Sequence, residues 1–197
     1  MKNTDTRVRY TKDILKKSLL ELLKNKKIDK ITVKELCEKA QINRGTFYLH
    51  YSAPNDLLYE IEKDFMANHS ELFTDYMTKA SLHQNDRGMD KLQALFQVTS
   101  ENIELCKIIF GPNGDYRFQE KIKKQMKQET IRHWSVEFPE YKIEHLEYIF
   151  DYVFSGSMSL IFNWINDNDE QKITVEQLAN RLDRLGHYAH LAIKEFN

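Results

Sequence analysis

Glycine, proline and cysteine are all scarce in this chain of 197 residues. Its 6 glycines and 3 prolines leave little material for tight turns, which counts against a hairpin-rich β architecture and favours long helices. The two cysteines, Cys37 and Cys106, fall on the apolar faces of different predicted helices. This pattern favours buried small side chains over a disulfide framework.

Long hydrophobic runs are missing too. No apolar stretch approaches the roughly 18 residues that a transmembrane helix needs. The opening residues, MKNTDTRVRY, lack the hydrophobic segment of a signal peptide. We therefore expect a cytoplasmic protein that has no membrane partner.

The motifs of common enzymes and metal sites are absent as well. The sequence has no P-loop, no G-x-G-x-x-G and no nucleophile elbow. No spacing of His, Cys, Asp and Glu completes a metal set. The sequence predicts neither an enzyme nor a bound cofactor or metal.

The formal net charge of −1 hides a strong asymmetry. Residues 1–51 contain 13 Lys/Arg against 6 Asp/Glu, a balance of +7, whereas residues 52–197 contain 16 against 24, a balance of −8. A basic N-terminal quarter on an acidic body is typical of a surface that attracts phosphates. Taken one by one, the lysines also fit an ordinary solvated helix face.

The most informative stretch is residues 31–58, ITVKELCEKAQINRGTFYLHYSAPNDLL. Thr32 followed by Glu35 has the spacing of a capping box and opens a short helix. After a break at 41–43, Asn43 is a good N-cap for a second short helix, 44–51, in which Phe47 points inward. Two short helices with a polar outward face on the second indicate a helix-turn-helix.

This stretch resembles the DNA-binding domain of the TetR/AcrR regulators, whose signature runs roughly T-V-x-x-I-A-x-x-A-G-V-S-x-G-T-x-Y-x-H-F-x-x-K-x-x-L. The positions that match it at its own spacing are Thr32-Val33, Leu36, Ala40, Ile42, Gly45-Thr46, Tyr48, His50-Tyr51 and Leu57-Leu58. Two positions depart from it. Gln41 replaces the usual turn glycine, and Pro54 stands where the family usually has a phosphate-contacting lysine.

The resemblance implies which side chains contact DNA. They are Thr32, Lys34, Arg44, Gly45, Thr46, Tyr48 and His50. Arg44 would pair with guanine O6 and N7 in the major groove, and Gly45 would let the helix backbone approach the duplex. Tyr51 is expected in the core, because the family usually has a buried Phe there. With Pro54 in place of the lysine, the N–H groups that open the next helix would be left to hold a phosphate.

Hydrophobic periodicity predicts an all-α protein of about nine helices. The resemblance implies a helix-turn-helix DNA-binding domain at 1–53 and a ligand-binding and dimerisation domain at 54–197. Helix 1 is predicted to begin after an N-cap at Thr11, with Arg7 and Arg9 in a mobile arm before it. Helix 4 is predicted from Pro54 to about residue 79, followed by a polar loop over 81–90.

The segment 143–164 is apolar nearly all round, which predicts burial on both sides. By resemblance, the last two long helices pair with their copies in a dimer. The core of a monomer is the alternative.

Five aromatic residues of the body are candidates for lining an effector pocket: Phe65, Phe96, Phe110, Trp134 and Phe154. The alternative is that they are ordinary core residues, which aromatic stripes at helical spacing more often are. The resulting prediction is a DNA-binding transcriptional regulator, a ligand-responsive repressor that binds a palindromic double-stranded operator as a homodimer. The alternative function is a protein-interaction partner or co-activator that binds little DNA of its own.

Overall fold

The computed structural model describes residues 2–80, 87–167, 169 and 172–193, and every regular element in those ranges is helical. The predicted all-α architecture with about nine helices is therefore confirmed. In chain order the helices are α1 (Lys2–Leu23), α2 (Val33–Ala40), α3 (Arg44–Tyr48), α4 (Pro54–Ala80), α5 (Arg87–Glu101), α6 (Ile103–Ile109), α7 (Tyr116–Glu137), α8 (Ile143–Asn166) and α9 (Val175–Ile193), with a 3₁₀ turn at Ile28–Lys30. Residues 81–86 of the predicted loop lie outside the described residues, and the prediction is wrong for 87–90, which form the first turn of α5.

The predicted start of helix 1 is wrong. The chain is helical from Lys2, so Arg7 and Arg9 belong to α1 and form no arm before it. Thr11 is not an N-cap either, because its hydroxyl donates to the Arg7 carbonyl (3.0 Å), as a threonine inside a helix does. Extending an existing helix costs far less than nucleating one, so a capping residue does not by itself stop propagation towards the N-terminus.

The chain divides into two compact units. Unit 1 comprises Met1–Met66 and Ile108–Gln119, and unit 2 comprises Ala67–Lys107 and Glu120–Asn197. The division falls inside α4, whereas the predicted functional boundary lies between residues 53 and 54. That functional boundary stays a prediction, because compactness does not test what each part does.

Unit 1 is built on leucines and one phenylalanine of its first four helices. Its fully buried side chains are Leu15, Leu19, Leu36, Phe47 and Leu57. Residues 108–119, from the end of α6 to the first turn of α7, complete it. The rings of Phe110 and Phe118 meet Phe65 edge to face at 6.0 and 6.2 Å. The Asn113 side chain donates to the Lys24 carbonyl (3.2 Å).

Unit 2 has an aromatic core. Trp134 and Phe138 pack with Leu146 and Phe150, and helices α5 and α8 both contact α9. α9 opens with a complete capping box, as Gln177 N–H donates to Thr174 Oγ1 and Thr174 N–H donates to Gln177 Oε1 (3.2 and 3.0 Å). No helix among the described residues is long and apolar enough to cross a bilayer.

The expectation that α8 is buried on both sides is wrong for the single chain. Leu146 and Phe150 are buried, but Tyr148 is 77% exposed and Tyr152 is 82% exposed. Residues four apart share a helix face. The face with Leu146 and Phe150 therefore packs on the core, and the face with Tyr148 and Tyr152 points outward. The apolar composition of residues 143–164 predicted burial all round, but it carries no information on which residues share a face, and tyrosine, serine and glycine occupy one side of the helix.

Both cysteines are buried, as predicted. Burial raises the pKa of the Cys37 thiol, an effect that the positive charge of Arg44 opposes. Burial alone raises the pKa of Cys106 to about 12. Since the thiolate is the reactive form, neither cysteine is poised as a nucleophile near neutral pH.

Candidate nucleic-acid interface

Two capped short helices form the candidate interface. α2 begins after Thr32, whose Oγ1 accepts a hydrogen bond from the Glu35 N–H (3.2 Å). α3 begins after Asn43, whose Oδ1 accepts from the Thr46 N–H (2.7 Å). Both side chains satisfy N–H groups that a helix start leaves without intrahelical partners. The predicted N-caps are confirmed. The Glu35 carboxylate, predicted to complete a capping box with Thr32, pairs with Lys26 instead (2.6 Å), and α3 ends at Tyr48, shorter than predicted.

The turn between these helices depends on Gln41. Its backbone is left-handed, with φ 55° and ψ 38°, and its N–H is directed to the carbonyls of Cys37 and Glu38 at the end of α2. Glycine usually fills such a position because it has no Cβ to collide with the following carbonyl. A glutamine there costs about 1 kcal/mol, so this departure from the family pattern keeps the geometry and adds strain.

α3 presents a sharply divided surface. Phe47 and Tyr51 lie one turn apart and are buried, which anchors the helix to unit 1. Residues four apart share a helix face, so Arg44 and Tyr48 form one outward column. Gly45 and Leu49 form the next, because Leu49 continues the helical conformation as the C-cap. A rigid, exposed face of this kind can enter a DNA groove without rearranging the core.

The seven predicted contact residues all lie on α2 or α3 or within two residues of them. Those that are exposed are Thr32, Lys34, Arg44, Gly45 and Tyr48, while Thr46 and His50 are partly buried. Lys34 makes only a loose pair with Glu38 one turn on (3.9 Å), which leaves its ammonium available to another anion. The contact of these residues with DNA stays a prediction.

Arg44 and Thr46 differ in what they can still offer a ligand. Arg44 is exposed, and no carboxylate among the described residues is paired with its guanidinium. The Thr46 hydroxyl donates to Asn43 Oδ1 (2.9 Å). Thr46 therefore supports the N-cap and presents an acceptor oxygen, whereas Arg44 presents a fork of donors.

A side chain at position 45 would crowd the cap of α3. A Cβ at this position would lie 3.3 Å from Asn43 Oδ1, the atom that caps α3. On the other side the glycine is exposed. The absence of a side chain thus protects the cap and leaves the helix backbone accessible from outside.

An ionic network fastens α4 to α1 behind this face. Glu60 accepts from Lys12 (2.9 Å), Lys16 (3.0 Å) and the Tyr51 hydroxyl (3.1 Å), and Lys16 also meets Asp64 (2.7 Å). Burial alone would raise the pKa of Glu60, but the hydrogen bonds from Lys12, Lys16 and Tyr51 outweigh it and lower that pKa to about 2. Burial and the neighbouring Glu60 together raise the pKa of the Tyr51 phenol.

Ion pairs reduce the positive charge that the N-terminal part has available for phosphates. Lys12 and Lys16 neutralise carboxylates of α4, and Lys26 is paired with Glu35 (2.6 Å). Unit 1 as a whole contains 15 Lys/Arg against 11 Asp/Glu, a balance of +4, smaller than the +7 of residues 1–51. Much of the positive charge read from the sequence therefore serves internal packing.

Two features at the start of α4 bear on the expected phosphate contact. Pro54 is its first residue, so the prediction that Pro54 opens helix 4 is confirmed. Asp56 Oδ2 accepts from the N–H groups of Ser52 and Ala53 (2.8 and 3.0 Å). A carboxylate thus already occupies this helix start, which counts against the expectation that its N–H groups hold a phosphate.

The five candidate pocket residues fall into different packed groups. Phe65 and Phe110 belong to unit 1, while Phe96, Trp134 and Phe154 belong to unit 2. In unit 2, Phe154 stacks on Phe150 with ring centroids 5.4 Å apart. These contacts fit the core-packing alternative, and the pocket assignment stays a prediction.

Two features escaped the sequence reasoning. One is the exposed Leu49, to which no role was assigned. The other is the network on Glu60, whose partners in α1, Lys12 and Lys16, lie 48 and 44 residues away in the chain. Its only signal is that Lys12 and Lys16, like Glu60 and Asp64, are four residues apart on predicted helices, which puts each pair on one face.

Parts of the chain are similar in sequence to known transcriptional regulators. A model for one group of TetR C-terminal regions, described as the transcriptional regulator C-terminal region, matches residues 86–188, more than half of the chain. The uncharacterized HTH-type transcriptional regulator YxbF of Bacillus subtilis (strain 168) is 34% identical over 74 residues. That match covers 37% of this chain and 20% of YxbF, so the chain spans about a fifth of the length of this relative.

Solved structures share the fold. A TetR transcriptional regulator from Streptococcus agalactiae 2603V superposes with a TM-score of 0.59 at 20% identity, over 92% of this chain and 96% of that one. The dihydroxyacetone kinase operon activator DhaS superposes with a TM-score of 0.54 at 17% identity, over 95% and 98%. At these identities the likeness establishes the architecture alone, and it confirms the predicted all-helical fold.

Proposed function

This chain belongs to the TetR family of transcriptional regulators, and from that premise we propose that it binds an operator in double-stranded DNA through α2 and α3. The observation that carries the proposal is the outward face of α3. There the unpaired Arg44 and the side-chain-free Gly45 stand on a helix that Phe47 anchors in the core.

The proposed contacts divide by chemistry. Arg44 reads a guanine through its two-pronged donor geometry, worth about 1–3 kcal/mol of discrimination. Lys34, Thr32, Tyr48 and His50 bind phosphates and set the register of the helix without reading sequence. Affinity for the operator therefore falls steeply as salt concentration rises, because bound phosphates release their counterions.

We propose that two copies pair through α8 and α9. The outward side of α8 carries a continuous uncharged stripe made of Tyr148, Tyr152, Ser155, Gly156, Ser159 and Leu160, all exposed in the single chain. α9 exposes Leu185, Tyr188 and Leu191 at helical spacing. Aromatic, aliphatic and small residues without charge form the centre of stable homodimer interfaces, and a two-fold dimer fits a palindromic operator.

Release by a small ligand is the proposed regulation. α4 is 27 residues long, about 40 Å at the rise of an α-helix, and its two halves belong to different units. A ligand that shifts the unit 2 half would move the unit 1 half and change the spacing of the paired α3 helices. That spacing must match successive major grooves, about 34–36 Å apart. We propose that the chain is a repressor that the ligand releases from its operator.

A second candidate function is a co-activator that acts through protein contacts and binds little DNA. It is favoured by the modest charge of unit 1, by Pro54 in place of a basic residue and by the Asp56 carboxylate at the start of α4. DhaS, a protein of the same fold, is described as an operon activator. Under this alternative, binding to duplex DNA would be weak and insensitive to sequence.

The test is selection of duplexes from random sequence with the whole chain, followed by affinity measurement for Arg44→Ala. We expect a selected sequence, and a roughly tenfold to hundredfold loss of affinity in the variant without a change in thermal stability. Arg132→Ala is the control, since Arg132 is an exposed arginine on α7 paired with Glu129 (2.6 Å). Enrichment of no sequence would favour the co-activator, and an unchanged affinity would remove Arg44 from the interface.

A further inference from the structure

Leu49 is the most exposed leucine among the residues whose side chains the structure describes, at 79%. Its position is nevertheless well defined. Its φ of −71° and ψ of −18° continue α3, and its N–H donates to the Gly45 carbonyl (3.2 Å). Leu49 therefore stands one turn beyond Gly45 on the same outward column.

The neighbours of Leu49 differ from it in chemistry. Arg44, Tyr48 and His50 all carry hydrogen-bonding groups that suit phosphates and base edges. A leucine can form no hydrogen bond with either, and an isolated leucine on a polar surface gains nothing from water. In the major groove one group of complementary character exists, the C5-methyl of thymine, which apolar side chains contact.

Gly45 makes such a contact geometrically accessible. Because it has no side chain, nothing on the column below Leu49 holds the duplex away from the helix backbone. If the base edges in the major groove approach Gly45, they also come within reach of the Leu49 side chain, one turn along the helix. Leu49 would then lose its exposure against the DNA, while Phe47 and Tyr51 keep the helix in place.

We propose that Leu49 is a specificity-determining residue that packs on the C5-methyl of one thymine in each half of the bound operator. This proposal rests on the proposed DNA binding and goes further by naming the base. Cytosine has no such methyl group, so Leu49 would favour a T·A pair over a C·G pair at that position.

The experiment replaces each thymine of a selected duplex by deoxyuridine, which removes the methyl group and keeps the pairing and hydrogen-bonding edges. Burying one methyl group corresponds to about a fourfold change in Kd. We expect one thymine in each half at which the replacement weakens wild-type binding about fourfold. The same replacement should leave the affinity of Leu49→Ala unchanged.

Val136→Ala is the matched control. Val136 is an aliphatic residue on α7 with a similar exposure, 81%, and its removal should preserve the full deoxyuridine effect. Leu49→Ala should melt at the wild-type temperature, because a side chain so exposed contributes little packing.

Two results would overturn the inference on Leu49 while leaving DNA binding intact. One is a deoxyuridine scan without any effect on the wild type, as expected if Leu49 contacts only sugars. The other is an effect of equal size in wild type and Leu49→Ala, which would assign the methyl contact to another residue. If the wild-type chain selects no duplex at all, the proposed function fails and the inference fails with it.

Discussion

The outward faces of α3 and α8 are the two most informative surfaces of this molecule, and they differ in chemistry. On α3 an arginine, a tyrosine and a leucine surround Gly45, whereas the stripe on α8 carries tyrosines, serines and a leucine around Gly156 but no charge. A face whose arginine is paired with no carboxylate among the described residues suits a polyanion. An uncharged face of aromatic and small residues suits a second protein helix.

The two glycines sharpen this contrast. A Cβ on Gly45 would press on Asn43 Oδ1 at 3.3 Å, whereas a Cβ on Gly156 would meet nothing within 4 Å. Glycine inside a helix costs up to about 1 kcal/mol relative to alanine. Among the described residues no neighbour requires a glycine at position 156, and the proposed dimer would account for it by the close approach of a second helix. The exposed residues around a helical glycine therefore indicate which kind of molecule approaches it.

The largest expected effect is on self-association. Gly156→Leu should weaken the proposed dimer by about 30-fold or more, because the added side chain would stand between the paired helices at the centre of the interface. The folded single chain should tolerate it, since the position is open. Sedimentation or light scattering over a concentration series measures the dissociation constant. A dimer as tight as the wild type would place the interface elsewhere.

Gly45→Ala provides the matching arm of that comparison. It is expected to lower affinity for the selected duplex while leaving the dimer intact, because Gly45 lies on the face proposed for DNA. If Gly45→Ala and Gly156→Leu both weakened the dimer, or both lowered only the affinity for DNA, the two faces would not have the separate functions proposed for them.

The next effect concerns how each face is supported. α8 is supported by apolar packing on Trp134 and by ion pairs of Asp151 with Lys123 and Lys127 (2.8 and 3.1 Å). The Glu60 network contributes to the support of α3 through Tyr51. Since the pKa of Glu60 is lowered to about 2, its ionised form stabilises the fold above the ordinary Glu pKa of about 4.3. That contribution is lost as the pH falls through about 2.

Glu60→Gln should therefore be less stable than the wild type at pH 7, by about 1 kcal/mol for a pair that remains partly solvated. The difference should shrink as the pH falls from about 4.5 to 2. Denaturant unfolding followed by circular dichroism at several pH values measures it. A difference that does not change with pH would mean that the loss comes from packing and not from the charge of Glu60.

The smallest effect tests the turn that positions α3. Gln41→Gly should raise the free energy of unfolding by about 0.5 kcal/mol, since relief of the left-handed strain exceeds the entropy that glycine adds to the unfolded chain. The urea midpoint measures this change, and Gln41→Val should shift it the opposite way. A destabilised glycine variant would show that the Gln41 side chain contributes contacts that outweigh its backbone strain.

Several features could be predicted because both partners lie close together in the chain. The caps at Thr32 and Asn43 each involve a group three residues away, and the structure confirms them. The start of α4 at Pro54 follows equally from local chemistry. The start of α1 was misplaced because a capping side chain is a local preference, whereas helix propagation depends on the whole segment.

By itself, then, the sequence determined the helical class, the capped helix-turn-helix and the regulator family, since these rest on side-chain periodicity and on hydrogen bonds between near neighbours. Only the tertiary structure decided that Lys12 and Lys16 neutralise α4, that residues 108–119 complete unit 1, and that one face of α8 stays exposed. Each of these depends on which helix faces come together over tens of residues. Such pairings are set by the packing of the whole core, and no short pattern specifies them.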